Sequence, residues 1–155
     1  KGGFFDYYKQ LNYGFGTDGA ASSNTLNPVE QARLFGLMGK YQERNSAAYT
    51  ATEIWQHLMA SHQAFPFGSG RLKEGAPADL VIWDLYQPDT FPFYSPISAI
   101  LYSSNSQNVK YTMVAGEFLK YNGKLKIDTK TLTQEAVRLQ KALLERGKGK
   151  AQVAY

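Results

Sequence analysis

The order of apolar and polar residues near the start of the chain predicts a short helix followed at once by a strand. Phe4, Tyr8 and Leu11 recur at the spacing of one helical face, so residues 4–11 are expected to be helical. Asn12 can take the left-handed conformation that ends a helix, and residues 13–17 then form the expected strand. One parallel-type strand cannot form a buried sheet alone. Its sheet neighbours therefore either lie outside this sequence or come from strands further along.

Two longer helices are expected next, each with a recognisable start. At the first, Asn27 can cap the helix, Pro28 suits the first helical position and Glu30 completes a box-like pattern. At the second, Thr50 and Glu53 form a capping box. An apolar stripe follows each helix start. A hydrophobic staple is also expected between the two apolar residues that flank the capping box of the second helix. The stripe residues are Leu34, Phe35, Met38 and Tyr41, ending near Arg44, and then Ile54, Leu58 and His62; the staple residues are Tyr49 and Ile54.

After residue 70 the pattern becomes β-like. Strands are expected within residues 79–84, 100–102 and 109–115, and Asn122 with Gly123 predicts a tight hairpin turn before one more short strand. Because no helix interrupts these strands, residues 79–125 are expected to form a mostly antiparallel sheet, separate from residues 13–17. A last helix is expected to start near a capping box at Thr131–Gln134, and residues 147–155 are expected to fray. Its apolar face comprises Leu132, Ala136, Leu139 and Leu143.

Composition limits the class of protein. The chain has 155 residues, of which 43% are hydrophobic and 19% charged, as in a globular domain. No apolar run reaches the roughly 18 residues of a membrane span, and no signal peptide is expected at the start. Cysteine is absent, which excludes disulfides and thiolate metal sites and is compatible with a reducing, cytoplasmic location. The net charge is +4, but no basic motif interleaved with aromatic residues accompanies the lysines, so nucleic-acid binding is not expected.

Asp18 is the strongest candidate for chemistry. It follows the predicted strand in the string Gly-Thr-Asp-Gly, where the tip of a barrel strand can offer a metal ligand or a proton acceptor. Taken alone the string is weak, because Asp-Gly is also common in turns. Ser22, Ser23 and Asn24 follow closely, and they can either shape a pocket beside Asp18 or cap the turn.

The other polar residues favour structural roles. His57 and His62 are five positions apart, so they do not share one helical face as a metal-binding pair would, and His62 is expected to be partly buried. Ser22 has no visible histidine and acid partners for nucleophilic catalysis. No glycine loop of the phosphate-cradling type is present.

Four blocks of sequence, in order and with plausible gaps, resemble a known family. They are residues 16–26 with Glu30 and its helix, residues 70–84, residues 94–96 with 101–102, and residues 114–117 with 122–125. Together they resemble the amidohydrolase superfamily, in particular its aminohydrolase and chlorohydrolase branch, which includes methylthioadenosine/S-adenosylhomocysteine deaminases. The resemblance covers essentially the whole chain, but only about the C-terminal third of such an enzyme.

The resemblance implies an α/β fold, the C-terminal part of a (β/α)8 metal-dependent hydrolase barrel with a small, mostly antiparallel β-sandwich. Residues 1–69 would end the barrel, residues 70–128 would belong to the composite sandwich, and residues 129–155 would form a C-terminal helix and tail. Asp18 matches the metal ligand that follows the eighth strand in this family. The remaining ligands of a divalent metal, zinc by resemblance, would lie upstream of Lys1.

The resemblance also implies the chemistry. Metal-activated water attacks an aminated or halogenated carbon, Asp18 helps to take the water's proton, and ammonia or halide leaves. The expected partners are a small-molecule substrate, such as a purine nucleoside, and the rest of the enzyme chain, with a homo-oligomer left open. Ser23 and Asn27 depart from the residues usual in the family, which leaves the substrate open. The alternative is a free-standing, non-catalytic α/β binding module or an inactive remnant of the fold.

Overall fold

The computed structural model describes residues 7–63, 65 and 70–147. The predicted helix over residues 4–11 lies partly outside this range, and the part inside it is a short 3-10 turn. The frayed tail predicted for residues 147–155 also falls almost wholly outside. In chain order the elements are the 3-10 turn Tyr8–Gln10, α1 Ala20–Ser23, α2 Pro28–Glu43, α3 Ala51–Gln63, β1 Leu80–Trp83, α4 Pro96–Ser98, a π-helical turn Ala99–Ser103, β2 Val109–Val114, β3 Glu117–Tyr121, β4 Lys124–Leu125 and α5 Thr129–Gly147.

Both predicted helix starts are confirmed, because each depends on a local capping interaction. The Asn27 side chain accepts hydrogen bonds from the backbone N–H groups of Val29 (3.1 Å) and Glu30 (3.3 Å) at the start of α2. The Thr50 hydroxyl accepts from the Glu53 N–H (3.2 Å) at the start of α3. These caps fix where the two helices begin and therefore which residues face each other.

The face that α2 buries is not the predicted one. Ala32, Gly36 and Gly39 are buried, whereas Leu34, Met38 and Tyr41 are exposed, Tyr41 by 85%. The small residues let large side chains of other segments pack directly on the helix backbone. A Cβ atom at Gly39 would lie 2.7 Å from Tyr49 Cε2, and one at Gly36 would lie 2.5 Å from Ile54 Cδ1.

The core of the helical part is built around this contact. Tyr49 and Ile54, the predicted staple residues, are both buried and belong to one cluster, so their burial is confirmed. Phe35 packs against the same cluster, as its predicted stripe position required. His62 is exposed rather than partly buried, because none of the core residues of the described chain lies beyond Leu58 on that stripe. The buried members of the cluster are Tyr8, Ala32, Tyr49, Ile54, Leu58 and Leu101.

The predicted antiparallel sheet is confirmed, with strand order β1-β2-β3-β4. Each of its two tight hairpins has two consecutive turn residues with positive φ, as two-residue turns of type I′ require. The turn residues are Ala115 (49°) with Gly116 (83°), and Asn122 (46°) with Gly123 (79°). Residues 13–17 are not part of this sheet, as predicted.

The strand predicted at residues 100–102 is wrong, because these residues lie in the π-helical turn that continues α4. Ser104 N–H bonds to the Ala99 carbonyl five residues back (2.9 Å), and Leu101 is fully buried. Arg33 of α2 donates to the carbonyls of Leu101 (2.6 Å) and Ser104 (2.5 Å). A short buried apolar run fits a strand or a helix equally well by pattern, and these tertiary bonds decide for the helical turn.

Helix α5 begins two residues before its predicted start. Asp128 is the cap, since its carboxylate accepts from the N–H groups of Lys130 and Thr131 (both 3.1 Å). The Thr131 hydroxyl also donates to this carboxylate, and this bond is the main reason that the pKa of Asp128 lies below its ordinary value. None of the residues of α5 is buried against the described chain.

We expect Gly39→Ala to destabilise the full-length protein, although alanine favours helices by about 1 kcal/mol over glycine. The added methyl group would collide with the Tyr49 ring, and such overpacking typically costs about 1–3 kcal/mol. Denaturant unfolding measures the change, with Met38→Ala on the exposed face of the same helix as the control. A higher unfolding midpoint for Gly39→Ala would contradict the close contact.

Candidate functional site

The segment of residues 12–19, which carries Asp18 and is called the extended segment below, forms neither a helix nor a strand within the described chain. Residues 12–19 have no ladder partner there, so the strand predicted at residues 13–17 is not formed. The physical reason is the one that the sequence raised: a parallel-type strand needs neighbours, and the described residues supply none.

Asp18 lies at the end of this extended segment, just before α1. Its φ of +58° is in the left-handed region, which aspartate tolerates better than most residues. One carboxylate oxygen, Oδ1, accepts from the Gly19 N–H at 2.6 Å, and the side chain is solvent-exposed. Among the described residues the Asp18 carboxylate forms no salt bridge.

The extended segment is held by α3. The rings of Tyr13 and His57 stack with centroids 3.9 Å apart and an interplanar angle of 11°. His57 Nδ1 lies 3.2 Å from the Tyr13 carbonyl oxygen, and the Ser61 hydroxyl accepts from the Phe15 N–H at 2.7 Å. Burial, with a smaller effect from the Glu53 carboxylate, raises the pKa of the Tyr13 phenol, which therefore stays protonated.

Ser22, Ser23 and Asn24 lie at the end of the short helix α1, which begins two residues after Asp18. Ser22 and Ser23 are in α1, and both donate from their backbone N–H groups to the Gly19 carbonyl (3.0 Å each). The Ser23 hydroxyl accepts from Gln31 Nε2 of α2 at 3.3 Å, which ties this short helix to the longer one. These bonds connect Ser22 and Ser23 to Gly19, and Ser23 to α2.

The described residues do not make up a complete metal site. No group of three histidine, cysteine, aspartate or glutamate side chains comes together in this part of the chain. His57 is engaged with Tyr13, and His62 is exposed on α3. Asp18 alone fits a metal, as a single carboxylate ligand, so a closed site would need donors from elsewhere.

Other features of the described chain lie apart from Asp18. A shallow depression on α5 is lined by Thr129, Lys130, Thr133, Gln134 and Val137, none of them a predicted site residue. No helix within the described ranges combines the length and the apolar character that crossing a membrane requires.

Sequence reasoning missed Ser61 and the contact of His57 with the extended segment. Two signals were available. His57 and Ser61 are four residues apart and so share a helical face, and Gly14 lies between the two residues that they bind. A glycine inside a strand-like run often marks the close approach of another backbone.

The sequence matches the model of a family described as the amidohydrolase family over residues 8–119. A 5-methylthioadenosine/S-adenosylhomocysteine deaminase of Caldicellulosiruptor saccharolyticus is 37% identical over 138 residues, covering 87% of this chain and 32% of the relative. A 5'-deoxyadenosine deaminase of Methanopyrus kandleri is 38% identical over 119 residues, covering 74% of this chain and 27% of the relative. The chain thus spans about a third of the length of these curated relatives, or less.

Solved structures give the same result for the fold. An adenosine deaminase from Xanthomonas campestris with bound zinc superposes with a TM-score of 0.79 at 26% identity, covering 87% of this chain and 32% of that one. An atrazine chlorohydrolase from Arthrobacter aurescens in complex with zinc gives 0.76 at 23% identity, covering 88% and 31%, which supports the fold alone. Because the family model matches well over half of the residues and the structural likeness agrees with it, this chain belongs to the amidohydrolase family.

Proposed function

We propose that this chain is the C-terminal part of a metal-dependent amidohydrolase that removes an amino group from a heterocycle, such as the purine of an adenosine-type nucleoside. The observation that carries the proposal is the placement of Asp18. Among the described residues this exposed carboxylate has no salt-bridge partner, and the segment that it ends has no sheet partner. The names of the curated relatives support the substrate class, since each is a deaminase of an adenosine derivative.

The proposed architecture assigns residues 1–69 to the end of a (β/α)8 barrel, residues 70–128 to a composite β-sandwich, and residues 129–155 to a C-terminal helix and tail. Two features support it. The extended segment lacks ladder partners in the described chain, as a barrel strand without its neighbours would. In addition, α2 exposes large apolar side chains that a neighbouring barrel element would cover, namely Leu34, Leu37, Met38 and Tyr41.

Asp18 is proposed to act as one metal ligand and as the proton acceptor for the attacking water. A divalent ion such as zinc, when bound, lowers the pKa of water and so supplies a nucleophile near neutral pH. A carboxylate suits both roles of Asp18, because its oxygen is a good ligand and a base of moderate strength. The hydrogen bond from Gly19 N–H to Oδ1 orients the carboxylate for this task.

Ser22, Ser23 and Asn24 are proposed to line the substrate pocket beside Asp18. They come shortly after Asp18, at the end of α1, and the bond from Gln31 to Ser23 holds this stretch against α2. Hydroxyl and amide groups in this position can form hydrogen bonds with the polar edge of a heterocycle.

A non-catalytic binding module or inactive remnant of the fold is the second candidate. The observation that favours it is the incomplete donor set, since the described chain brings no three metal-binding side chains together. The sequence of the full open reading frame distinguishes the two candidates. A His-x-His pair encoded upstream of this chain would support the enzyme, and its absence would support the second candidate.

We expect Asp18→Asn in the full-length enzyme to lower kcat about 10²–10⁴-fold, because loss of a general base alone has this effect. The Michaelis constant should change far less, since asparagine keeps the shape of the side chain. The measurement is ammonia release from adenosine, 5'-deoxyadenosine and methylthioadenosine. The control is Asp79→Asn, which changes an aspartate that bonds to Ala115 N–H at the sheet. Near-normal turnover of Asp18→Asn would show that the site is misassigned.

We expect the isolated 155-residue chain to bind zinc weakly, because one carboxylate and two separated histidines do not close a tetrahedral site. Isothermal titration of the chain with zinc is compared with metal analysis of the full-length protein. Tight, stoichiometric binding by the isolated chain would place the complete site within these residues and contradict the proposal.

A further inference from the structure

Residues 20–27, called the substrate loop below, join the extended segment to α2 and include the residues assigned above to the substrate pocket. We propose that Thr25, Glu30 and Gln31 are positioning residues, which hold this loop in the shape that receives the substrate. This inference rests on the proposed function, but it concerns three side chains outside the set assigned to the pocket. The observation behind it is a strained turn in the loop that is bonded to the start of α2 on both of its sides.

The strained turn is centred on Asn24, whose backbone has a φ of 50° and a ψ of −40°. The Thr25 N–H donates to the Ser23 carbonyl two residues back, so Asn24 is the middle residue of a γ-turn with positive φ. This form of the γ-turn is rare and strained, although asparagine tolerates positive φ better than most residues. Strained backbone persists only where surrounding contacts hold it, and it occurs most often at binding and active sites. The contacts that hold this turn therefore bear on the site.

The first of these contacts lies just after the turn. The Thr25 hydroxyl donates to Glu30 Oε2 at 2.9 Å. Glu30 is in the first turn of α2, where the partial positive charge of the helix end favours an ionised carboxylate. A hydrogen bond to an ionised acceptor is roughly twice as strong as one between neutral groups. This bond therefore attaches one side of the turn to the start of the helix.

The second contact lies just before the turn. Gln31 Nε2 donates to the Ser23 hydroxyl at 3.3 Å, so the other side of the turn is attached to the same end of α2. In the described part of the chain, the Ser22 hydroxyl and the Asn24 carboxamide form no hydrogen bond. The two contacts thus engage Ser23 and leave the polar groups of Ser22 and Asn24 available to a substrate.

Helix α2 gives both contacts a firm support. Ala32 is fully buried, and Arg33 donates to the carbonyls of Leu101 (2.6 Å) and Ser104 (2.5 Å). Both contacts join side chains within residues 23–31, so they lie outside the extended segment. Pairing of that segment with upstream strands in the full-length protein therefore leaves them in place.

The effect is expected in substrate binding rather than in the chemical step. A loop that already has its binding shape loses little conformational freedom when the substrate arrives. Without one of the contacts the strained turn relaxes, so only a fraction of the molecules has the binding shape and the apparent affinity falls by that fraction. Asp18 comes before the loop and acts on water in the proposed mechanism, so kcat should change little.

The test compares full-length variants by ammonia release from adenosine. Thr25→Val keeps the shape of the side chain but removes its hydroxyl, and we expect it to raise the Michaelis constant about 3-fold to 10-fold at nearly constant kcat. Thr25→Ser keeps the hydroxyl and should retain a nearly normal Michaelis constant. Gln31→Leu should act like Thr25→Val. Its control is Gln42→Leu, the same substitution at an exposed position near the other end of α2.

Two further measurements separate positioning from a general loss of structure. Thr25→Val combined with Glu30→Leu removes the same bond twice, so the double variant should have about the Michaelis constant of Thr25→Val alone. Amide hydrogen exchange over residues 23–26 in the substrate-free protein should be faster in Thr25→Val and Gln31→Leu than in Thr25→Ser and Gln42→Leu. If Thr25→Val does not fold, Gln31→Leu carries the same comparison.

Three results would overturn the inference. The first is a normal Michaelis constant in folded Thr25→Val and Gln31→Leu. The second is a loss of kcat in these variants at an unchanged Michaelis constant. The third is a double variant of Thr25→Val with Glu30→Leu in which the two effects multiply, because independent effects exclude a shared bond.

Asp18→Asn, measured beside these variants, distinguishes failure of the inference from failure of the proposed function. If Asp18→Asn loses turnover while Thr25→Val and Gln31→Leu keep a normal Michaelis constant, the inference is wrong and the proposed function stands. If Asp18→Asn itself keeps turnover, the proposed function is wrong, and the inference falls with it even where the exchange result holds.

Discussion

The close contact of α2 with Tyr49 and Ile54 is the constraint on which the helical part of this chain depends. It exists because Gly36 and Gly39 carry no side chains at the points where Ile54 and Tyr49 press on the helix. Tyr49 stacks in turn on Tyr8, and Phe35 makes edge contacts with Tyr8 and Tyr49. This cluster sets the position of α3, and α3 carries the two side chains that hold the segment ending at Asp18.

Interactions between residues that are close in sequence could be predicted, but the face that a helix buries could not. The caps at Asn27 and Thr50 and the turn at Asn122-Gly123 were predicted because each depends on residues within three positions of one another. The buried face of α2 was not, because its large apolar residues and its small ones both recur at helical spacing. Which set turns inward depends on the side chains that pack on the helix, and here Ile54 packs on Gly36 and Tyr49 packs on Gly39.

The same division holds at the site. Asp18 could be found from its flanking residues and their resemblance to a family, since both lie within a few positions along the chain. The bond between Phe15 and Ser61 joins residues 46 positions apart, so no local pattern contains it. The strand predicted at the apolar residues 100–102 was wrong for a related reason. Arg33, 68 positions before Leu101, donates a hydrogen bond to the Leu101 carbonyl, and this distant contact favours the helical turn.

Helix α3 connects the core with the segment that precedes Asp18. Ile54 and Leu58 place one face of the helix in the core, while His57 and Ser61 on an adjoining face bind the extended segment. The packing of Ile54 against Gly36 and the bond from Phe15 to Ser61 involve the same helix, so a shift of that helix affects both contacts. Interiors are packed as densely as crystals of small molecules and transmit such shifts rather than absorb them. Gly36 on α2 and Gly14 beside α3 therefore have the same physical effect: each permits a close approach that a single methyl group would obstruct.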